Sequence, residues 1–177
     1  MKSGTRFLGI DDSSHDKFSD SEAFLVGVAY RGTEFVEDIR KTGIEIDGGD
    51  ATEKIIELYE SAEASTVGCI LLDGISFAGL NIVDLEKVTE ETGVPVVAVT
   101  KNEPDREKFY EALEIVGNEE GFWEMEDPET VELEDGEVYV QYAGTDFDGA
   151  RETVEISTLH GLTPEAIRVA DMIGSVL

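Results

Sequence analysis

The chain has 177 residues, with 13 Lys and Arg against 41 Asp and Glu, a formal net charge of -28 and one cysteine. A 41% hydrophobic content is enough for the core of a single domain spanning 1–177, which excludes a chain disordered throughout, and the acidic balance excludes a basic groove that grips nucleic acid through many phosphate contacts. No apolar run approaches the roughly 18 residues of a membrane helix, and Met1-Lys2-Ser3-Gly4 lacks the apolar stretch of a secretory signal, so a cytoplasmic location is expected.

In chain order, Arg6 to Ile10 reads as a short apolar strand ending in Asp11-Asp12, followed by a polar loop from Ser13 to Glu22 that contains His15. Ala23 to Tyr30 is a second strand. Arg31-Gly32-Thr33 can turn, and Glu34 to Ile46 has the alternation of a third strand, giving an antiparallel meander. From Asp50 the period becomes helical: Ala51, Ile55, Leu58, Tyr59 and Ala62 share a face, with Asp50 or Thr52 placed to cap the first turn. Val67 to Leu72 is a buried strand that ends in Asp73-Gly74. It carries Cys69, which has no partner for a disulfide and reads as a small apolar core residue.

A helix is expected from Ile82 to Glu91, stopped by Gly93. A strand follows over Val94 to Val99, and then a helix opened by Pro104 and running from about Asp105 to Val116. Gly117 to Gly136 has no pattern, and its Phe122 and Trp123 read as a satellite hydrophobic cluster. Val138 to Tyr142 is a last strand, followed by helices over Asp146 to Ser157 and Pro164 to Val176. The sum is an α/β fold, a mixed sheet with helices on both faces. Its right-handed crossovers gather the strand ends on the carboxyl edge, where open α/β sheets bind ligands.

Three strands end on that edge in polar residues: Asp11-Asp12, Asp73, and Thr100-Lys101. If the first and fourth strands are neighbours, Asp11 and Asp73 lie side by side. Two carboxylates about 5 Å apart at an effective dielectric near 20 repel by roughly 3 kcal/mol. A divalent cation removes the conflict, and the abundance of carboxylates beside two His and one Cys favours a hard ion, Mg2+ or Mn2+. Asp50 and Glu53 in the first turn of the first helix, and Asp171 on the last helix, can reach the same edge. With 41 acids present, any one of them alone is an ordinary solvated cap; the convergence is what points to a site. Both histidines read as surface or loop residues, His15 in the polar loop and His160 before Gly161, and of the two His160 is the candidate for a substrate contact.

Several separated stretches resemble the archaeal endonuclease V-like family that includes endonuclease dU. They are Leu8-Gly9-Ile10-Asp11-Asp12, Ile46-Asp47-Gly48-Gly49-Asp50-Ala51-Thr52-Glu53, Leu72-Asp73-Gly74-Ile75-Ser76-Phe77-Ala78-Gly79, Gly93-Val94-Pro95-Val96 and Tyr139-Val140-Gln141-Tyr142-Ala143-Gly144. The resemblance covers nearly the whole chain and implies a ribonuclease H-like fold with strand order 3-2-1-4-5. It further implies metal-dependent hydrolysis of a phosphodiester near a deaminated base, such as uracil or hypoxanthine, in DNA repair. By position, Asp11, Asp73, Asp171 and either Asp50 or Glu53 would be Mg2+ (or Mn2+) ligands. Lys101 would stabilise developing charge, with Gly74, His160 and Arg168 on the substrate side. The family's strand-separating wedge, an aromatic-proline segment before the first helix, has no counterpart in Thr42 to Asp47. Joined to the acidic surface, the resemblance reads as a haloarchaeal-type member, less stable in low salt.

Two rival readings remain on sequence. A receiver-type phosphoacceptor domain also places acids after its first strand, an acceptor Asp, and Thr and Lys at later strand ends, as in Asp11-Asp12, Asp73, Thr100 and Lys101; a receiver, however, has a helix where Ala23 to Tyr30 reads as a strand. The other is a non-catalytic nucleic-acid or nucleotide binding protein on the same fold.

Overall fold

The computed structural model describes residues 4–14, 22–62 and 67–177. Most of the polar loop expected from Ser13 to Glu22, with His15, lies outside the described residues. A seven-stranded sheet organises the chain: β1 (Arg6–Asp12), β2 (Glu22–Arg31), β3 (Phe35–Glu45), β4 (Val67–Asp73), β7 (Val96–Thr100), β8 (Glu129–Leu133) and β9 (Gly136–Ala143) stand in the order β3-β2-β1-β4-β7-β9-β8. Between β4 and β7, β5 (Ser76–Phe77) and β6 (Asn81–Ile82) form a separate small hairpin.

The meander β1-β2-β3 is antiparallel, and β4 and β7 join β1 in parallel. Counting β7 as the fifth long strand, this part has the expected 3-2-1-4-5 order. Beyond it the sheet corrects the sequence reading. The stretch expected to be irregular contains β8, which pairs antiparallel with β9, and β9 pairs antiparallel with β7. Strand β1 also runs through Asp11 and Asp12, which pair with Val26 and Leu25.

Strand parity sorts the core into two layers. Leu8, Ile10, Ile70, Leu72, Val96 and Ala98 face one side, under α1 (Ala51–Ser61) and α2 (Leu85–Thr92). Phe7, Cys69, Leu71, Val97, Val99, Val138 and Val140 face the other, under α4 (Phe147–Ser157) and α5 (Glu165–Gly174). Cys69 is fully buried there, as its apolar neighbours imply. Helix α3 (Arg106–Val116) carries Phe109 and Tyr110 against Phe122 and Trp123, the expected satellite cluster.

Two helix starts differ from the sequence reading. Ile82 belongs to β6, and α2 begins at Leu85, where the Asp84 carboxylate accepts from the Lys87 backbone N–H. Neither Asp50 nor Thr52 caps α1. The Asn81 side chain takes that role, accepting from the Ala51 N–H, while the Thr52 hydroxyl accepts from the Asp84 N–H. Among the described residues no helix is long and apolar enough to cross a membrane.

Candidate metal centre

The parity that buries Leu71 and Phe7 beneath α4 and α5 also sets where the acids point. Asp11 follows Phe7 and Gly9 on one face of β1, and Asp73 follows Cys69 and Leu71 on the same face of β4. The strands run parallel with Ile10 opposite Leu72, so the next pair in register is Asp11 and Asp73, on strands about 5 Å apart.

Helix α5 supplies the third acid. It crosses this face with Ala166, Ile167, Ala170 and Gly174 turned to the sheet. Two glycines let it sit that low. A Cβ on Gly9 would stand 2.3 Å from the Ala166 carbonyl carbon, and one on Gly174 would stand 2.5 Å from the Asp12 carbonyl oxygen. Asp171, one residue past Ala170, therefore comes close enough to act electrostatically on both Asp11 and Asp73.

The electrostatics show an acid cluster under tension. Asp11 is buried, and its carboxyl is pushed up to about 8, first by burial and then by Asp73, with Asp12 and Asp171 adding to it; the Asp12 backbone N–H that it accepts works the other way. Asp73 is raised as well, mainly by burial against the protein side of the rim, although the residue is exposed on its outer side; Lys101 opposes the shift while Asp171 and Asp12 add to it. Gly74 holds the turn after Asp73 at φ +80, a left-handed conformation suited to glycine, and its N–H donates to the carbonyls of Leu72 and Val99.

Asp12 is the acid that the sequence reading named but did not assign. It points to the opposite face, where its carboxylate accepts from the Ala78 N–H, and Ala78 in turn accepts from the Asp47 N–H through its carbonyl. Asp12 thus ties β1 to the loop that follows Asp73. Its signal in the sequence was the doubled Asp at a strand end, where alternation sends one carboxylate to each face.

Asp50 and Glu53 are placed away from this cluster, because α1 packs on the other layer. The Asp50 carboxylate accepts from Asn81 Nδ2 at 2.6 Å and from the Glu45 N–H, and Glu53 pairs with Lys87 of α2 at 2.6 Å. Arg168 is committed to Glu165 at 2.7 Å, and His160 is exposed in the link between α4 and α5, where the next N–H, from Gly161, donates to Asp135. The structure therefore gathers Asp11, Asp73, Asp171, Lys101 and Gly74, and leaves Asp50, Glu53, Arg168 and His160 with other partners or at other places.

In chemistry the gathered donors fit a hard divalent cation: they are carboxylate oxygens only, and their mutual repulsion is what a cation would relieve. In spacing, no three His, Cys, Asp or Glu side chains among the described residues stand close enough together to hold a metal ion by themselves, which leaves Asp11 and Asp73 as a pair. Mg2+ is commonly held in such open sites, by one or two carboxylates, waters and a substrate phosphate.

The family model of endonuclease dU matches residues 3–177. The chain belongs to the endonuclease dU family. A UPF0215 protein of Methanothermobacter thermautotrophicus is 37% identical over 181 residues, covering 99% of this chain and 88% of that one. The crystal structure of a protein of unknown function from Archaeoglobus fulgidus is 33% identical, with a TM-score of 0.86 over 97% of both chains. Ciona intestinalis endonuclease V, solved with a 24mer DNA containing an inosine followed by a ribo-adenosine, is 15% identical, with a TM-score of 0.64 over 97% of this chain and 84% of that one. That likeness shows the ribonuclease H-like fold. Membership of the endonuclease dU family supports a nuclease-like role.

Proposed function

We propose that this protein is a metal-dependent endonuclease that hydrolyses a phosphodiester near a deaminated base, uracil or hypoxanthine, in DNA. One observation carries the reading: in a member of the endonuclease dU family, Asp11 and Asp73 follow one another in register on one face of the carboxyl edge, with Asp171 near enough to raise the pKa of both. A structural relative's complex with inosine-containing DNA supports the choice of substrate.

Asp11 and Asp73 would hold Mg2+ or Mn2+, with Asp171 orienting a water beside them. Such an ion, when bound, supplies charge neutralisation and a lowered water pKa at neutral pH. The chain's own groups do the rest. Lys101, at the end of β7 and electrostatically coupled to Asp73, places a positive charge where an extra negative charge develops on the phosphate. Gly74 leaves space for close backbone approach of the strand. A deaminated base is more easily drawn out of a duplex than a normal one, because its unpairing costs less.

The test uses duplexes containing uracil, hypoxanthine or no lesion, with Mg2+, Mn2+ or EDTA, at high KCl. The expected outcome is lesion-dependent cleavage that EDTA abolishes and that Asp73→Asn reduces by at least about 10^3-fold, the loss of roughly 4 kcal/mol of transition-state stabilisation. Cleavage that survives either change overturns the proposal. Lesion-independent binding without cleavage of any duplex, single strand or RNA would favour the binding-protein reading.

A further inference from the structure

The seven-stranded sheet has two outer strands, β3 and β8, and among the described residues neither pairs with a strand on its outer side. They differ in charge. Strand β8 has five residues, follows Pro128, and carries Glu129 and Glu132 with no Lys or Arg, so it repels a second acidic chain. Strand β3 has eleven residues, no proline and both signs of charge: Glu37, Asp38 and Glu45 with Arg40 and Lys41. On a chain of net charge -28, β3 is the sheet edge where two copies can meet without setting acid against acid.

Hydrogen bonding shows which groups of β3 face outward. The Ile39 N–H donates to Asp38 Oδ1 at 2.9 Å, and the Glu45 N–H to the Asp50 carboxylate, in place of bonds to a neighbouring strand. Strand alternation turns the Lys41 and Gly43 N–H groups the same way. The open stretch is bounded at both ends. At one, Glu37 is the extra residue of a bulge, since Val36 pairs with Tyr30 and Asp38 with Ala29, and its carboxylate is bound by Arg6 and Arg31. At the other, Asp50 occupies the edge at Glu45. Between them lies Asp38 to Gly43, with Ile39 47% exposed.

We infer that β3 pairs antiparallel with β3 of a second copy of this chain, about a two-fold axis at Ile39. Charge selects this register. Centred on Asp38, Arg40 or Lys41, the strand would set a charge against its own copy; centred on Gly43, it would need the Glu45 edge that Asp50 fills. Centred on Ile39, it sets Asp38 opposite Arg40 of the second copy, and the reverse. Asp38 and Arg40 already form an ion pair within the chain at 3.1 Å, so the four side chains alternate in sign around the axis. The two Ile39 backbones exchange both their hydrogen bonds, which releases Asp38 Oδ1. The Ile39 side chains share the face of Val28, under α5, and cover each other. The second sheet runs in the opposite sense, so the two carboxyl edges lie at opposite ends and each copy keeps its own Asp11 and Asp73. The pairing is independent of the endonuclease reading.

Sedimentation equilibrium of the full chain at about 2 M KCl, where general repulsion is screened, is expected to show a dimer at about 0.1 mM protein. Asp38→Arg and Arg40→Asp should each weaken it roughly tenfold or more. The double substitution restores opposite charges across the axis and should return the affinity to near that of the parent. Ile39→Cys should give a disulfide-linked dimer on mild oxidation, because facing residues of a hydrogen-bonded pair stand about 5.5 Å apart at Cα, within disulfide reach. Thr130→Cys on β8 should not, and the buried Cys69 does not compete. The cysteine variant keeps both charges, so it tests the register even where a charge variant folds poorly. A monomer at 2 M KCl, a dimer indifferent to the single substitutions, no recovery in the double, or cross-linking through Thr130→Cys equal to that through Ile39→Cys overturns the inference.

Discussion

Asp11 carries the sharpest conflict in the molecule: it is 7% exposed, lies beside a second carboxylate and is pushed up to about 8. An unfolded Asp ionises near 3.8, so between about pH 4 and pH 8 the folded state holds a proton that the unfolded state has released. Stability from this residue therefore falls as pH rises through that window, by up to about 1.4 kcal/mol per unit. Asp11→Asn removes the penalty. Its melting temperature in EDTA should exceed that of the parent by an amount that grows from pH 5 to pH 8, reaching roughly 1–3 kcal/mol in stability, while cleavage is lost. A constant difference across that range would mean that Asp11 titrates normally. At this scale the sequence was informative wherever an apolar strand ended in a charge, which marked Asp11, Asp73 and Lys101. Asp50 and Glu53 are instead engaged by Asn81 and Lys87. Helical spacing shows where α1 begins, but the face of the sheet that α1 covers depends on the crossover after β3, and the acid-binding partners Asn81 and Lys87 come from 31 and 34 residues away.

Among the elements, α5 decides whether the site exists, since it brings Asp171 over the sheet by packing on two glycines. Gly9→Ala places a methyl group 2.3 Å from the Ala166 backbone, so the helix must lift. A stability loss of about 1–3 kcal/mol is expected, with cleavage reduced on the order of 100-fold by displacement of Asp171. Gly43→Ala in β3 is the control: nothing stands within 4 Å of the added Cβ, and both properties should stay near those of the parent. Crystal structures of the two variants would show whether α5 moves in the first and not in the second. A glycine in the middle of an apolar strand, Leu8-Gly9-Ile10, is a legible sign of close backbone approach. What approaches it is not legible, because the partner lies at Ala166. Strand β8 was missed for a different reason. Glu129-Thr130-Val131-Glu132-Leu133 does alternate, but as the outermost strand it buries little beyond Val131, and its acids hide the pattern.

For the molecule as a whole, the strand meander, the parallel pair after it and the helices on both faces follow from period changes and the handedness of crossovers, and so could be read from the chain. The charge is a property of this scale too. With 28 excess negative charges, the folded state repels itself in dilute buffer, and near 1 M salt the screening length of about 3 Å removes most of that repulsion. The melting temperature should rise between about 0.1 M and 2 M KCl; a flat response would show that the acids are already balanced by local pairs. The same surplus bears on catalysis, because an acidic protein meets an acidic polymer most readily through a bound cation and the few lysines beside it. Anomalous diffraction from crystals soaked in Mn2+ tests that claim most directly. A peak is expected between Asp11 and Asp73, within bonding distance of both carboxylates. A peak at Asp50 or Glu53 instead, or none beside Asp11 at saturating Mn2+, would contradict it.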